Sequence, residues 1–323
     1  MKRSSDIASL SNPSIPKTKG QILRKKLYDQ RLLLLMLLPL LLAVFIFRYV
    51  PMTGWLMAFK DYQIGQNIFE ADWAGFEYFI EFFSNTGDAL YVIENTLVIN
   101  LLSVAGNLTL SCLTAVLLNE LIFKKYKTLV QTSSFFPFFV SWVIAYTLFS
   151  AFFSVNTGVV NTALVQSGII DEGINLMGDP RYSWPLMIVV NIWRSMGYNT
   201  VIFLSAITSI DTAQYEAAEI DGAGRMAKIR YITLPGVAST FIVLLILNSG
   251  WIFNSNFEQF YLFTNITNRA SMEVFDMYIY RYGLELLDFS YATAVGVTKT
   301  IISVIMLLLV NAASKKFSGK SVF

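Results

Sequence analysis

Six stretches of this chain are long and apolar enough to demand lipid, and that requirement leaves few folds open. A crossing of about 30 Å of hydrocarbon takes about 20 mostly apolar residues. The first runs from Leu32 to about Val50 and carries no charge as far as Phe47. Asn95–Leu118 and Thr128–Phe153 follow. Trp184–Ser209 is interrupted only by Arg194, and Leu234–Phe253 by no charge at all. The sixth, Ala292–Ala313, contains Lys299. Composition agrees: charged residues make up 14% of the 323, against about 25% in soluble chains, and mean hydropathy is +0.54. Backbone polar groups in lipid must be satisfied within the segment, so the expected fold is all-α, a polytopic bundle of six transmembrane helices.

The Lys/Arg bias of the flanking loops gives a direction. Residues 1–31, 119–127, 211–233 and 314–323 together hold 17 basic and 7 acidic side chains. The alternate set, 48–94, 154–183 and 254–292, holds 5 basic and 15 acidic. The expected topology therefore has both termini in the cytoplasm. It divides the chain into a basic segment 1–31, a six-helix domain 32–313 and a cytoplasmic tail 314–323. The first span is read as a retained helix, because no small-residue cleavage pattern follows Phe47.

Several activities are excluded. With no histidine, neither a Ser-His-Asp nor a Cys-His centre can be assembled. The single Cys112 forms no disulfide within the chain. Gly319-Lys320-Ser321 ends like a phosphate-binding loop, but position 314 is Ser and no strand precedes it. Gly222-Ala223-Gly224-Arg225-Met226-Ala227 mimics a dinucleotide fingerprint without the strand–helix unit that gives it meaning. The basic N-terminus suits topology and anionic lipid better than nucleic acid. No catalytic residue, metal ligand or cofactor site is expected.

One basic-side loop departs from the charge bias. Residues 211–233 carry Asp211, Glu216, Glu219 and Asp221 beside Arg225, Lys228 and Arg230. Asp211 followed by Gln214 reads as a capping box, and a helix through Ile220 should end at a left-handed Gly222. A second helix is expected from about Arg225, with Pro235 marking the start of the fifth span. The full string is Glu216-Ala217-Ala218, three residues, Gly222, nine residues, Ile232, one residue, Leu234-Pro235.

This string resembles the EAA loop of permease subunits from binding-protein-dependent ABC importers. The resemblance extends to Arg48-Tyr49-Val50-Pro51-Met52, Leu117-Leu118-Asn119-Glu120, Phe135-Phe136-Pro137-Phe138-Phe139-Val140-Ser141-Trp142 and Ser290-Tyr291-Ala292-Thr293-Ala294-Val295-Gly296, words of oligosaccharide permeases that handle polysaccharide fragments. It implies a type I importer permease fold in the bacterial cytoplasmic membrane. It also implies a second homologous permease, two ATPase subunits that bind ATP and Mg, an extracytoplasmic solute-binding protein and an oligosaccharide solute. Coupling to the ATPases passes, by this likeness, to Glu216, Ala217, Ala218, Asp221 and Gly222, with Leu234 and Pro235 re-aiming the chain into the membrane.

Polar side chains inside spans face a bundle interior or a wet cavity. The fourth span offers Asn191, Arg194 and Tyr198, and the fifth offers Asn248, Trp251, Asn254 and Asn256. Amides bond sugar hydroxyls and aromatic faces cover sugar C–H patches, so these seven residues are the candidate pathway. The alternative for each is an interhelical hydrogen bond. Arg194 and Lys299 either neutralise an acidic solute or serve structure. Two rival classes are an ion-gradient-driven secondary transporter and a membrane-embedded transferase or hydrolase. No Asp or Glu lies deep in a span to bind the ion of the first or to act as acid or base in the second.

Overall fold

The computed structural model describes Gly20 and residues 28–318. The rest of segment 1–31 and the end of the tail, Gly319-Lys320-Ser321 included, lie outside the described residues. Two compact units are present. The N-terminal unit, ending at Leu56, holds helix α1, Arg31–Val44, a π turn, Phe45–Tyr49, and the larger part of a 3-10 stretch, Val50–Phe59. α1 is almost wholly Leu, Met, Ala and Val, and none of its residues is buried.

The second unit begins at Met57. A short hairpin pairs β1, Lys60–Asp61, with β2, Asp72–Trp73, so the unit is mostly rather than wholly helical. Helix α2, Glu77–Ser84, leads into α3, Thr86–Glu120, at 35 residues the longest. Then come α4, Lys124–Phe135, α5, Trp142–Phe153, α6, Val159–Gln166, and α7, Pro180–Thr208. After α8, Thr212–Ile220, and α9, Arg225–Lys228, the chain passes through a π turn, Ile229–Thr233, into α10, Leu234–Ser249. Three short helices, α11, Phe257–Phe263, α12, Arg269–Met272, and α13, Phe275–Tyr280, precede α14, Phe289–Ser318.

The core of the unit is the seam between α3 and α7. Leu108, Cys112, Ala115 and Leu118 of α3 meet Phe203, Leu204 and Ile207 of α7 and Val237 of α10. A second cluster sets Ile99 against Trp142, Met187, Val190, Phe260 and Phe263. Gly197 lies on the other flank of α7, where a Cβ would fall 2.0 Å from the Ser134 carbonyl oxygen. α4 and α7 therefore touch backbone to backbone.

Four helices among the described residues are long and apolar enough to cross a membrane: Arg31–Phe59, Gly87–Glu120, Arg225–Ser249 and Phe289–Lys316. A fifth appears if Lys124–Phe139 and Trp142–Phe153 count as one. The span expected at Thr128–Phe153 needs correction, whereas the one expected at Trp184–Ser209 lies along α7. The first is not a straight rod but two pieces bent by 108°. Pro137 turns the helix into a 3-10 segment, Val140 is extended, and Ser141 caps the next helix by accepting the Ile144 N–H. The second, α7, has the length, about 43 Å at 1.5 Å per residue, but is less apolar than the others.

The fifth span is also re-bounded. Its helix starts at Arg225 and runs unbroken past Pro235, so Pro235 neither begins the span nor re-aims the chain. The missing Pro N–H is absorbed by the π turn just before it, where the Leu234 N–H bonds the Ile229 carbonyl. The same helix stops at Ser249, ahead of a tight turn at Gly250–Phe253. Trp251, Asn254 and Asn256 therefore lie beyond the helix rather than on it.

Candidate functional site

The loop between α7 and α10 builds its own shape. Asp211 caps α8 by accepting the Ala213 N–H at 3.0 Å. At the other end the Ala223 N–H bonds the Ala218 carbonyl at 2.8 Å and the Gly222 N–H bonds that of Glu219 at 3.0 Å. This pair of bonds closes a helix through a left-handed residue, and Gly222 has φ +77°. Three contacts then brace the loop. Lys228 Nζ meets Glu219 Oε1 at 2.5 Å, and the Tyr215 hydroxyl lies 3.0 Å from Thr233 Oγ1. Arg225 reaches back to both the carboxylate and the main-chain carbonyl of Glu120, the last residue of α3. The Lys228 hydrogen bond and charge hold the Glu219 carboxyl below its ordinary range.

Braced from beneath, the loop turns Glu216, Ala217, Asp221 and Gly222 to the outside, while Ala218 is half-buried. Two apolar side chains join them in the open, Ile220 at 87% and Met226 at 75% exposure. A cavity of about 540 Å³ lies behind the hairpin, lined by Glu120, Ile210, Tyr215, Glu219, Arg225 and Lys228 among others.

A second constellation sits on the α3–α7 seam. Asn191 and Arg194 of α7, Asn248 of α10 and Asn256 share one cavity of about 220 Å³. The same cavity takes in Ser103 and Asn107 of α3, Trp142 of α5, and Ser195 and Asn199 of α7. Asn107 is the hub. Its amide donates to Ser195 Oγ at 2.6 Å, and its carbonyl accepts from Asn199 at 2.6 Å. Ser195 in turn donates to the Asn191 carbonyl, and Asn191 Nδ2 reaches Gln259 Oε1 at 3.3 Å. Gln259, fully buried, is anchored on the Met187 carbonyl. Asn248 bonds back to the Leu244 carbonyl of its own helix. Arg194 Nε donates to the Val140 carbonyl at 3.0 Å, and its guanidinium lies 4.5 Å over the Trp142 ring.

The other candidates fall elsewhere. Tyr198 stacks on Phe138 at 4.8 Å and 17°, forming with Phe135 a run of near-parallel rings beside the bend after α4. Trp251 and Asn254 line a separate groove of about 380 Å³ with Gly250, Thr300, Ser303 and Leu307. Lys299 faces neither cavity: it pairs with Asp276 of α13 at 2.5 Å.

Sequence reasoning overlooked α3. Asn95, Thr96, Ser103, Asn107 and Ser111 are all buried, and Thr96, Asn100, Ser103, Asn107 and Ser111 recur at helical spacing. They form a polar stripe down one face of an otherwise apolar helix. Asn95 accepts from Trp184 Nε1 at 2.9 Å, Asn100 donates to Ser255 Oγ at 2.9 Å, and Ser111 donates to the Met196 carbonyl at 2.9 Å. The three- and four-residue spacing was readable within the second span and marks the stripe without any structure.

A helical membrane unit with a polar internal cavity and an outward-facing, braced loop is the layout of a solute permease. The chain belongs to the family described as binding-protein-dependent transport system inner membrane component, whose model matches residues 107–319. It is therefore an inner membrane component of a transport system. Over 311 residues it is 39% identical to Protein LplB of Bacillus subtilis (strain 168), covering 96% of this chain and 97% of that one. Over 307 residues it is 40% identical to the polygalacturonan/rhamnogalacturonan transport system permease protein YteP of the same organism, covering 95% of both. Among solved structures it matches the crystal structure of a bacterial ABC transporter involved in the import of the acidic polysaccharide alginate. That match has TM-score 0.83 and 35% identity, and covers 92% of this chain and 99% of the other. A second structure holds the alginate transporter in complex with an alginate pentasaccharide-bound periplasmic protein, with TM-score 0.83 and 34% identity.

Proposed function

We propose that this chain is one permease subunit of an ATP-driven importer of oligosaccharides, working with a second, homologous permease and two ATPase subunits. ATP and Mg are held by those ATPases, and an extracytoplasmic solute-binding protein delivers the sugar. The observation that carries the reading is the 211–233 loop. It is rigid in itself, and it offers Glu216, the small Ala217 and the bare Ile220 and Met226 to a partner. An apolar pair exposed on a loop costs solvation unless something covers it. A carboxylate in their midst supplies a charge-assisted hydrogen bond to that partner.

In this reading the chain crosses the membrane six times with both termini in the cytoplasm. The bent α4–α5 pair counts as one crossing, and α7 is another, its polar face turned to the cavity. Residues 1–31 and 314–323 flank the 32–313 domain on the cytoplasmic side, the first of them against anionic lipid. Solute passes the α3–α7 cavity, where Asn191, Arg194, Asn248 and Asn256 exchange bonds with its hydroxyls. Tyr198, Trp251 and Asn254 extend the path through their aromatic and amide surfaces. At about 220 Å³ the cavity is smaller than the roughly 300–1,000 Å³ that encloses a drug-sized ligand, so it meets a sugar chain unit by unit.

Exchanging Glu216-Ala217-Ala218 for Lys-Leu-Leu tests the loop. Solute-stimulated ATP hydrolysis should separate from uptake while the amount of inserted protein stays at the wild-type level. Undiminished uptake in vesicles carrying this variant removes the loop from the coupling path.

A further inference from the structure

We infer that Arg194 is the residue by which the α3–α7 cavity distinguishes sugar units that carry a carboxylate from neutral ones. This rests on the reading of that cavity as the solute path. Among the described residues, Arg194 is the one charged side chain that lines it; the rest of the wall is Asn, Ser, Trp, Val and Leu. The two direct contacts of the guanidinium are neutral. One donor is spent on the Val140 carbonyl, and the ring face of Trp142 covers one side. Neither contact cancels the charge. Glu258, two residues past Asn256, acts on the guanidinium through its field, but it is exposed, lies outside the wall and forms no ion pair with Arg194.

A guanidinium held this way is preorganised. Its stem is pinned, its plane is fixed against an indole, and donors beyond Nε remain for a planar anion. Half-buried in the cavity, the guanidinium is partly stripped of its water, which favours an anion that can pair with it. A neutral sugar hydroxyl accepts one bond from it and brings no charge to meet it. A uronate carboxylate accepts two parallel bonds and neutralises it. The surrounding amides are indifferent to that distinction, since Asn191, Asn199 and Asn248 donate and accept alike. Discrimination between acidic and neutral units therefore falls on this one residue.

The test compares uptake of tri-galacturonate with its carboxyl-reduced counterpart, trigalactose, by the assembled transporter in vesicles, with the same solute-binding protein throughout. Arg194→Gln should lower the acid-to-neutral uptake ratio about tenfold, the loss of one charge-assisted pair. Arg194→Lys, which keeps the charge but loses the fork, should restore only part of the ratio. Should the Gln variant fail to accumulate, Arg194→Met keeps the stem over Trp142 and gives the same comparison. A parallel fall in both uptakes means that Arg194 only holds Val140 and Trp142 in place, and overturns the inference. So does an unchanged ratio. Asn191→Leu separates the inference from the reading beneath it. If that variant leaves both uptakes at wild-type level, the cavity is not the path. If it lowers both while Arg194→Gln leaves the ratio intact, only the selectivity claim falls.

Discussion

The 211–233 loop and the α3–α7 cavity are built on opposite principles. The loop is mostly local: its cap, its left-handed terminus and the Lys228–Glu219 brace join residues within about one helical hairpin of each other, and the Arg225–Glu120 contact is its distant tie. The cavity is assembled from afar, with Asn107 bonded to Ser195 and Asn199 across 88 and 92 positions of sequence. In water a loop must carry its own instructions, because solvent competes for every hydrogen bond. Inside a bundle the instructions are distributed, and a single Asn has no meaning until its partner helix is in place.

By that contrast, substitutions between the packed helices should hurt far more than substitutions in the loop. Gly197→Val is expected to be the most severe, since its side chain has only the Ser134 backbone to move against. A loss of roughly 3 kcal/mol, the upper end of overpacking costs, would show as a lowered melting midpoint in detergent or as failure to accumulate. A stable Gly197→Val protein would mean that α4 and α7 do not touch as described. Asn107→Leu comes next. It strips the hub from the network at a cost of about 1–2 kcal/mol, measured as thermal stability alongside uptake.

Gly222→Ala probes the loop. Nothing lies within 4 Å of the added Cβ, so only the left-handed backbone resists it, by roughly 1 kcal/mol. The effect should appear as faster amide exchange in α8 with the melting midpoint of the bundle unchanged. A shift of that midpoint would erase the distinction between the two regions.

The smallest effect is with pH. The Glu219 carboxyl is held below its ordinary value by Lys228 in the folded loop. Its contribution is thus complete above the unfolded carboxylate pKa near 4.5 and fades as pH falls through the lower folded value. Exchange of the Arg225–Thr233 amides should accelerate only below about pH 4.5. Glu219→Gln should make that profile flat. Because the carboxylate is exposed, the change belongs to the loop alone and leaves the cavity untouched.

The same contrast explains what could be read in the sequence. Asp211, Gly222 and the start near Arg225 were legible because capping and left-handed termini are local chemistry. Asn191, Arg194, Asn248 and Asn256 were legible as polar residues in apolar surroundings, and the fold gathers these four around one space. Tyr198, Trp251 and Asn254 shared that signature, yet they line other surfaces, since a polar residue in a span does not state which neighbour it faces. Two breaks were misread for the same reason. Pro137 and Pro235 are equally strong helix breakers locally. The first bends the chain by 108°, whereas the second is carried inside a straight helix by the π turn ahead of it. Which outcome prevails is decided by packing, not by the proline. The buried stripe on α3 was visible as spacing, but it gained a purpose only opposite α7.

That π turn has a mechanical consequence. Because the helix does not break at Pro235, one rod of 25 residues, about 37 Å long, joins Arg225 at the loop to Asn248 at the cavity wall. A rod has no slack. A tilt of about 10° that lifts one end displaces the other by about 6 Å over that length. The chain thus holds its loop and part of the cavity wall on a single lever.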